Sequence, residues 1–190
     1  QYGIHQYWIQ SNIKQGDIEF ASGRYKKALE HYKLSVTYPD NLEVAEQPNT
    51  IHARKNFKIA MALEVLGEKE PAHKYFRQVV TDKIEPGNAY QFYRGQALEA
   101  LGEKKQAIAV YEQMLAALDK QEAQQEHIEQ LEVTDEAVRM HKAKALQLFC
   151  RSLALEGLGR TDEAEKARKA ALELDPLVSL NAFKPPRAGW

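Results

Sequence analysis

Leu66–Val80 reads LGEKEPAHKYFRQVV, and this stretch decides the fold. It opens on a Leu-Gly pair, places an alanine five residues after the glycine, and an aromatic residue four further on. Alanine and phenylalanine at that spacing share one face of a helix. The glycine before them supplies the left-handed or extended backbone that ends a preceding helix at little steric cost. The pattern returns three times, as SGRYKKALEHYKLSV (22–36), LGEKKQAIAVYEQML (101–115) and LGRTDEAEKARKAAL (158–172). The turn glycines are Gly23, Gly67, Gly102 and Gly159, the alanines Ala28, Ala72, Ala107 and Ala164. Tyr32, Phe76 and Tyr111 hold the aromatic place, with Arg168 as the exception.

Upstream of each turn lies a second helical stretch. A small residue stands seven positions before the glycine, at Gly16, Ala60, Gly95 and Ser152. Leu63, Leu98 and Leu155 follow four before it, where the first copy has Glu19; Leu66, Leu101 and Leu158 directly precede it, where the first copy has Ser22. The unit is therefore a helix A, a tight glycine turn and a helix B. Small residues facing each other, Gly16 with Ala28 for instance, let the two axes approach, and the aromatic plugs the gap to the next hairpin.

Small–x–x–Leu, Leu-Gly, Ala–x–x–x–aromatic and the closing Asp175-Pro176 resemble the tetratricopeptide repeat over nearly the whole chain. The departure lies early in helix A, where a Trp and a Leu are usual and Asn12, Asn56, Gln91 and Leu148 stand instead. The resemblance implies an all-α, right-handed α-solenoid of about four hairpins whose A helices line a concave, partner-binding surface. The stretches ALEHYKLSVTYPDNLEVAEQP and ALEVLGEKEPAHKYF also resemble the C-terminal repeat region of large bacterial proteins that carry an uncharacterised β-rich, sugar-related domain ahead of their repeats.

The four glycines fall 44, 35 and 57 residues apart. Against a period of about 34 residues, this leaves insertions of roughly 10, 1 and 23 residues. The single domain 1–190 then divides into repeat 1 (about 4–38), a Pro-bounded loop (38–49), repeat 2 (about 50–83), repeat 3 (about 88–118), an insertion (119–134), repeat 4 (about 135–175) and a tail (176–190). The second insertion reads as an overlong helix B followed by a fresh helix, capped by Thr134 or Asp135 and running from about Asp135 to Leu158. In the tail, Pro176 stops the last helix, and Leu177, Val178, Leu180 and Phe183 are expected to fold back over its open end, or to bury themselves in a second copy or an upstream domain.

Composition narrows the function. Twenty-six Lys and Arg against 27 Asp and Glu leave a net charge of -1, which argues against nucleic acid and anionic membrane as the main partner. No apolar run approaches the ~20 residues of a membrane span. Gln1 starts the chain without the features of a signal peptide, so the chain reads as a piece of something longer, with a cytoplasmic parent favoured.

Chemistry-bearing groups are scattered. His5, His31, His52, His73, His127 and His141 show no ligand spacing, and the surroundings of His127 (Glu126, Glu129) read as a solvated helix face. Cys150 is the sole cysteine and reads as a packing residue, since Arg151, its neighbour in sequence, points elsewhere on a helix. No phosphate loop or nucleophile elbow occurs. Residues 119–136 carry seven carboxylates against one lysine, most simply a solvated face, alternatively a docking segment. No catalysis, cofactor or metal is expected.

The A helices offer the candidate site. Ten residues before each glycine stand Ile13, Phe57, Phe92 and Phe149; six before, Asp17, Met61, Gln96 and Leu153; three before, Phe20, Glu64, Glu99 and Glu156. Lys14, Arg54 and Lys58 add positive charge, and Tyr93 lies beside Phe92. Two readings stand together: an apolar stripe flanked by carboxylates that grips a partner, or phenylalanines that pack between helices as core. The basic and amide clamp with which some repeat domains of this kind hold a free carboxylate is missing, because its positions carry Ile13, Asp17, Lys58, Ala89 and Tyr93. The expected partner is a protein or peptide, with a homodimer or an intramolecular contact to an upstream domain as further forms of the same role. Serving as an accessory region of a larger enzyme is the alternative function.

Overall fold

The computed structural model describes residues 2–37, 51–126 and 135–178. Their secondary structure is helical throughout: α1 (Tyr2–Ala21), α2 (Tyr25–Leu34), α3 (Ala53–Val65), α4 (Lys69–Thr81), α5 (Gln91–Ala100), α6 (Lys104–Glu126), α7 (Asp135–Gly157) and α8 (Thr161–Leu174). Consecutive helices pair as four hairpins, so the all-α repeat class predicted from the glycine pattern is the observed one. Two compact units result, one formed by α1–α4 and the other by α5–α8.

One turn is used four times. Gly23, Gly67, Gly102 and Gly159 have φ of 74°, 82°, 81° and 73°. In every copy the glycine N–H donates to the carbonyl three residues back, and the next N–H to the carbonyl five back: Arg24 to Glu19 at 2.9 Å, Glu68 to Leu63 at 2.9 Å, Glu103 to Leu98 at 2.8 Å, Arg160 to Leu155 at 2.9 Å. The last of these is the six-to-one bond of a Schellman ending. The same residue starts helix B, because its carbonyl accepts from the repeat alanine: Arg24 from Ala28, Glu68 from Ala72, Glu103 from Ala107 and Arg160 from Ala164. Two helices are thus closed and opened within three residues, which fixes the hairpin angle.

The two helices of a hairpin bury different amounts of themselves. On α4 the buried residues are Ala72, Phe76 and Val79, one stripe at helical spacing. On α3 they run almost unbroken from Phe57 to Leu63. The A helix needs this because it packs on its own B helix and on the preceding one, as α3 does on α4 and α2. In the second unit α7 packs on α8, α6 and α5.

The four repeat alanines are all buried, as hairpin packing predicts. The small residue on helix A has a further purpose. A Cβ placed on Gly16 would overlap the Tyr32 ring, and one placed on Gly95 would overlap the Tyr111 ring. The glycine is therefore a seat for the aromatic of its own helix B, and not only a point of close approach to the alanine. The hairpin with alanine at this place, Ala60, carries the slimmer Phe76. Tyr111 also meets the overlong helix that follows, since a Cβ on Gly157 would strike the same ring. That contact is the gap-plugging role read from the sequence.

The expected long helices on either side of the second insertion are present, α6 and α7 having 23 residues each. The Pro-bounded loop 38–49 and the cap residue Thr134 lie outside the described residues. After α8 the Asp175 side chain accepts from Leu177 N–H at 2.9 Å and its carbonyl accepts from Val178 N–H at 3.0 Å, a turn of the Asx type. Val178 is buried and Leu177 exposed; Leu180 and Phe183 lie outside the described residues.

Candidate protein-interaction surface

The phenylalanine stripe sits beneath the A-helix surface. Phe57 meets Phe76 of its own hairpin edge to face at 5.6 Å, and Phe92 meets Tyr111 at 6.0 Å. Ile13, Phe57, Phe92 and Phe149 are buried, as are Lys58, Met61, Tyr93, Gln96 and Leu153. The candidate residues that reach solvent are Lys14 and Glu64, which are exposed, and Asp17, Arg54, Glu99 and Glu156, which are half-buried. Phe57 and Phe92 point inward, each against the aromatic ring of its own helix B.

In the first unit, α1 and α3 are bridged by two polar rungs. Arg54 Nη1 donates to Gln10 Oε1 at 3.3 Å. Further along, Asp17 Oδ1 accepts from Lys58 Nζ at 2.5 Å and from Tyr32 OH at 2.7 Å. Lys14 stands between the rungs on α1, since positions 10, 14 and 17 share a helix face. Lys58 is 1% exposed and also lies 5.6 Å from the Tyr32 ring centroid. Its pKa is lowered, mainly because burial disfavours the ammonium; Asp17 opposes this and Arg54 adds to it. Under this face, a buried cation is held by one carboxylate and one aromatic ring.

In the second unit the corresponding place is built from a glutamine, a tyrosine and a carboxylate. Tyr111 OH accepts from Gln96 Nε2 at 3.0 Å and donates to Glu99 Oε1 at 3.2 Å. In the last hairpin Arg168 takes the tyrosine's place, and its guanidinium pairs with Glu156. Polar heads carried by helix B thus reach the A-helix face in three of the hairpins, at Tyr32, Tyr111 and Arg168. Sequence reasoning assigned Tyr32 and Tyr111 to packing alone and noted Arg168 only as an exception. The signal was the polar end of the residue, since a hydroxyl or guanidinium at a buried place demands a partner.

Cys150 lies in the second unit's core with Met114, Leu118 and Ala154. Burial pushes its thiol up to about 11, which keeps it a packing group and not a nucleophile at neutral pH. Arg151 turns away from it, as helical geometry predicts, and bonds Asp119 at 2.6 Å and Glu122 at 3.0 Å on the α6 extension. Among the described residues, no three His, Cys, Asp or Glu side chains gather as a metal site, and no helix is long and apolar enough to cross a membrane.

These hairpins, closed by one repeated turn and filled by one alanine–aromatic pattern, define a helical-repeat protein. Models of the tetratricopeptide repeat match residues 57–123 and 151–176. The chain therefore carries tetratricopeptide repeats over these residues, and such repeats suggest a protein-interaction scaffold. It is 28% identical over 171 residues to the TPR repeat-containing protein YpiA of Bacillus subtilis (strain 168), covering 85% of this chain and 38% of that protein. The chain therefore spans well under half of that relative's length. Among solved structures it is similar to MamA 41-end from Desulfovibrio magneticus RS-1, with 19% identity, a TM-score of 0.37, and 89% of this chain and 76% of that one covered. A second MamA crystal structure gives 20% identity and a TM-score of 0.36, covering 93% of this chain and 97% of the other.

Proposed function

We propose that the chain is a non-catalytic scaffold whose A-helix surfaces, α1/α3 in one unit and α5/α7 in the other, dock a peptide or a neighbouring protein domain. The observation that carries this reading is the layering of those surfaces. The aromatic residues are sealed below, while Lys14, Asp17, Arg54, Glu64, Glu99 and Glu156 stay at or near the surface. Pre-positioned side chains on rigid helices can bond a partner at small entropic cost. Because the rings are buried, the contribution of Phe57, Phe92 and Phe149 is support of the surface and not contact with the ligand.

The test uses charge reversals on the two helix faces. Glu64→Lys and Glu99→Lys should reduce capture of a partner and alter its salt dependence. Glu112→Lys, on the exposed side of α6, should leave capture unchanged. If Glu112→Lys alone abolished capture, the docking surface would move to the B-helix side.

A second reading, an accessory region of a larger bacterial enzyme acting on carbohydrate, draws on the 38% coverage of the longer YpiA relative. In that case the docked group is a domain of the same polypeptide. Limited proteolysis of the full-length gene product would show the repeats protected only while that domain is attached.

A further inference from the structure

We infer that the outer edge of α8 is a self-recognition surface through which two copies of the chain associate weakly and antiparallel. The inference concerns the α8 edge, which shares only Glu156 with the proposed docking face of α5/α7, and it does not depend on docking there. An open groove of about 690 Å3 runs along this edge, walled by Glu156 of α7 and by Thr161, Glu165, Arg168, Leu172 and Glu173 of α8. In the preceding hairpin of the same unit, the face of helix B that corresponds to this one carries Ile108 and Tyr111 at the places of Glu165 and Arg168, and the Tyr111 ring is covered by Gly157 of the next helix. The last hairpin has exchanged both apolar residues for charges of opposite sign. That exchange is what a surface meant for something other than another hairpin requires.

The order of the charges selects the occupant. Residues 161, 165, 168 and 172 form one stripe at helical spacing. If two copies of this stripe cross antiparallel about a two-fold axis between Lys166 and Ala167, Glu165 of one faces Arg168 of the other, and the reverse pair forms on the opposite side of the axis. Thr161 then faces Leu172, and Glu173 approaches Arg160 at the start of the second copy's helix. A parallel two-fold would set Glu165 against Glu165 and Arg168 against Arg168, which is repulsive. The stripe is self-complementary in one orientation only, as an isologous contact must be. Arg168 already leans on Glu156, so in the contact one guanidinium would serve a carboxylate in each copy.

The experiment is sedimentation of the intact chain over a concentration series reaching the millimolar range, at low and moderate salt. The parent should show a monomer–dimer equilibrium that weakens with salt. Glu165→Arg, at an exposed position, should shift the dissociation constant at least tenfold, with an unchanged melting curve. Arg168→Glu should shift it as much, with a lowered melting temperature because its pair with Glu156 is also lost. Equimolar Glu165→Arg and Arg168→Glu should associate with each other, because both reciprocal pairs are then restored. Should Arg168→Glu fail to fold beside Glu156, Arg168→Gln, which removes the charge without setting a second carboxylate there, makes the comparison, with the dissociation constant again raised at least tenfold. A parent that remains monomeric throughout overturns the inference. So does association that ignores Glu165→Arg, and so does association that vanishes on removing residues 179–190 while Glu165→Arg has no effect.

Discussion

The third and fourth hairpins have the same frame and opposite treatments of one position. Nine residues after the turn glycine, hairpin three has Tyr111 and hairpin four Arg168. The tyrosine ring is fully buried between Gly95 and Gly157, and its hydroxyl is tied to Gln96 and Glu99. The arginine is about a third exposed and tied to one carboxylate, Glu156. Hairpin three has Gly157 of α7 against this place and can fill it with a large ring. Hairpin four, beyond which no further helix stands among the described residues, presents a charge. The lesson is that the repeat specifies the turn and the alanine, whereas the ninth position is set by what stands beyond it.

The comparison breaks first at Tyr111. Tyr111→Ala should remove a fully buried ring and leave a cavity between α5, α6 and α7, lowering stability by about 3–5 kcal/mol. Urea unfolding followed by circular dichroism would measure it. A loss below about 1 kcal/mol would mean that the ring is not the keystone of the hairpin. Gly95→Ala sharpens the point, since the added methyl would overlap the ring and should cost about 1–3 kcal/mol through overpacking.

Asp17 and Lys58 offer the next effect in size. Asp17→Ala strands a buried ammonium, and the expected loss is about 2–3 kcal/mol. This is below the usual range for breaking a buried pair because Asp17 keeps about a third of its surface in water. Lys58→Met together with Asp17→Ala should recover most of the loss. Acidity gives an independent check. The folded-state pKa of Lys58 lies below its ordinary 10.5, so the folded state favours the neutral amine. Its contribution to stability is therefore least when it is protonated in both states. It grows as pH rises through the folded pKa towards 10.5, and is lost again as pH falls. Urea midpoints from pH 7 to pH 10 should rise more steeply in the parent than in Lys58→Met. Equal slopes would show that Lys58 is solvated in the native state.

The glycine turn, the alanine contact and the long helices around the second insertion were legible because local chemistry dictates them. A left-handed residue, a small side chain and an uninterrupted apolar period each act within one hairpin. The candidate site was harder to read. Phe57 and Phe92 occur at helical spacing on helix A, and that spacing alone does not say whether the ring faces a groove or Phe76 and Tyr111 across the hairpin. The Lys58–Asp17–Tyr32 cluster joins residues 41 and 15 apart in sequence, on three helices, so no local pattern announces it. Arg168 was visible as an exception; its meaning came from the groove beside it and the carboxylate opposite.

The smallest expected effect is at Arg168 itself. Its pair with Glu156 is partly solvated on both sides, at 29% and 31% side-chain exposure, where ion pairs contribute up to about 1 kcal/mol. Arg168→Ala and Glu156→Gln should each lower stability by less than that, and the double variant by little more than either alone, the excess shrinking further in salt. Thermal melting of the four proteins at low and high salt measures this. The contrast with Tyr111 is quantitative: the same place in two adjacent hairpins should differ about threefold or more in the cost of truncation to alanine. If Arg168→Ala cost as much as Tyr111→Ala, its methylene stem would be acting as the missing ring. The charged end would then be incidental, and the fourth hairpin would be an interior repeat in all but sequence.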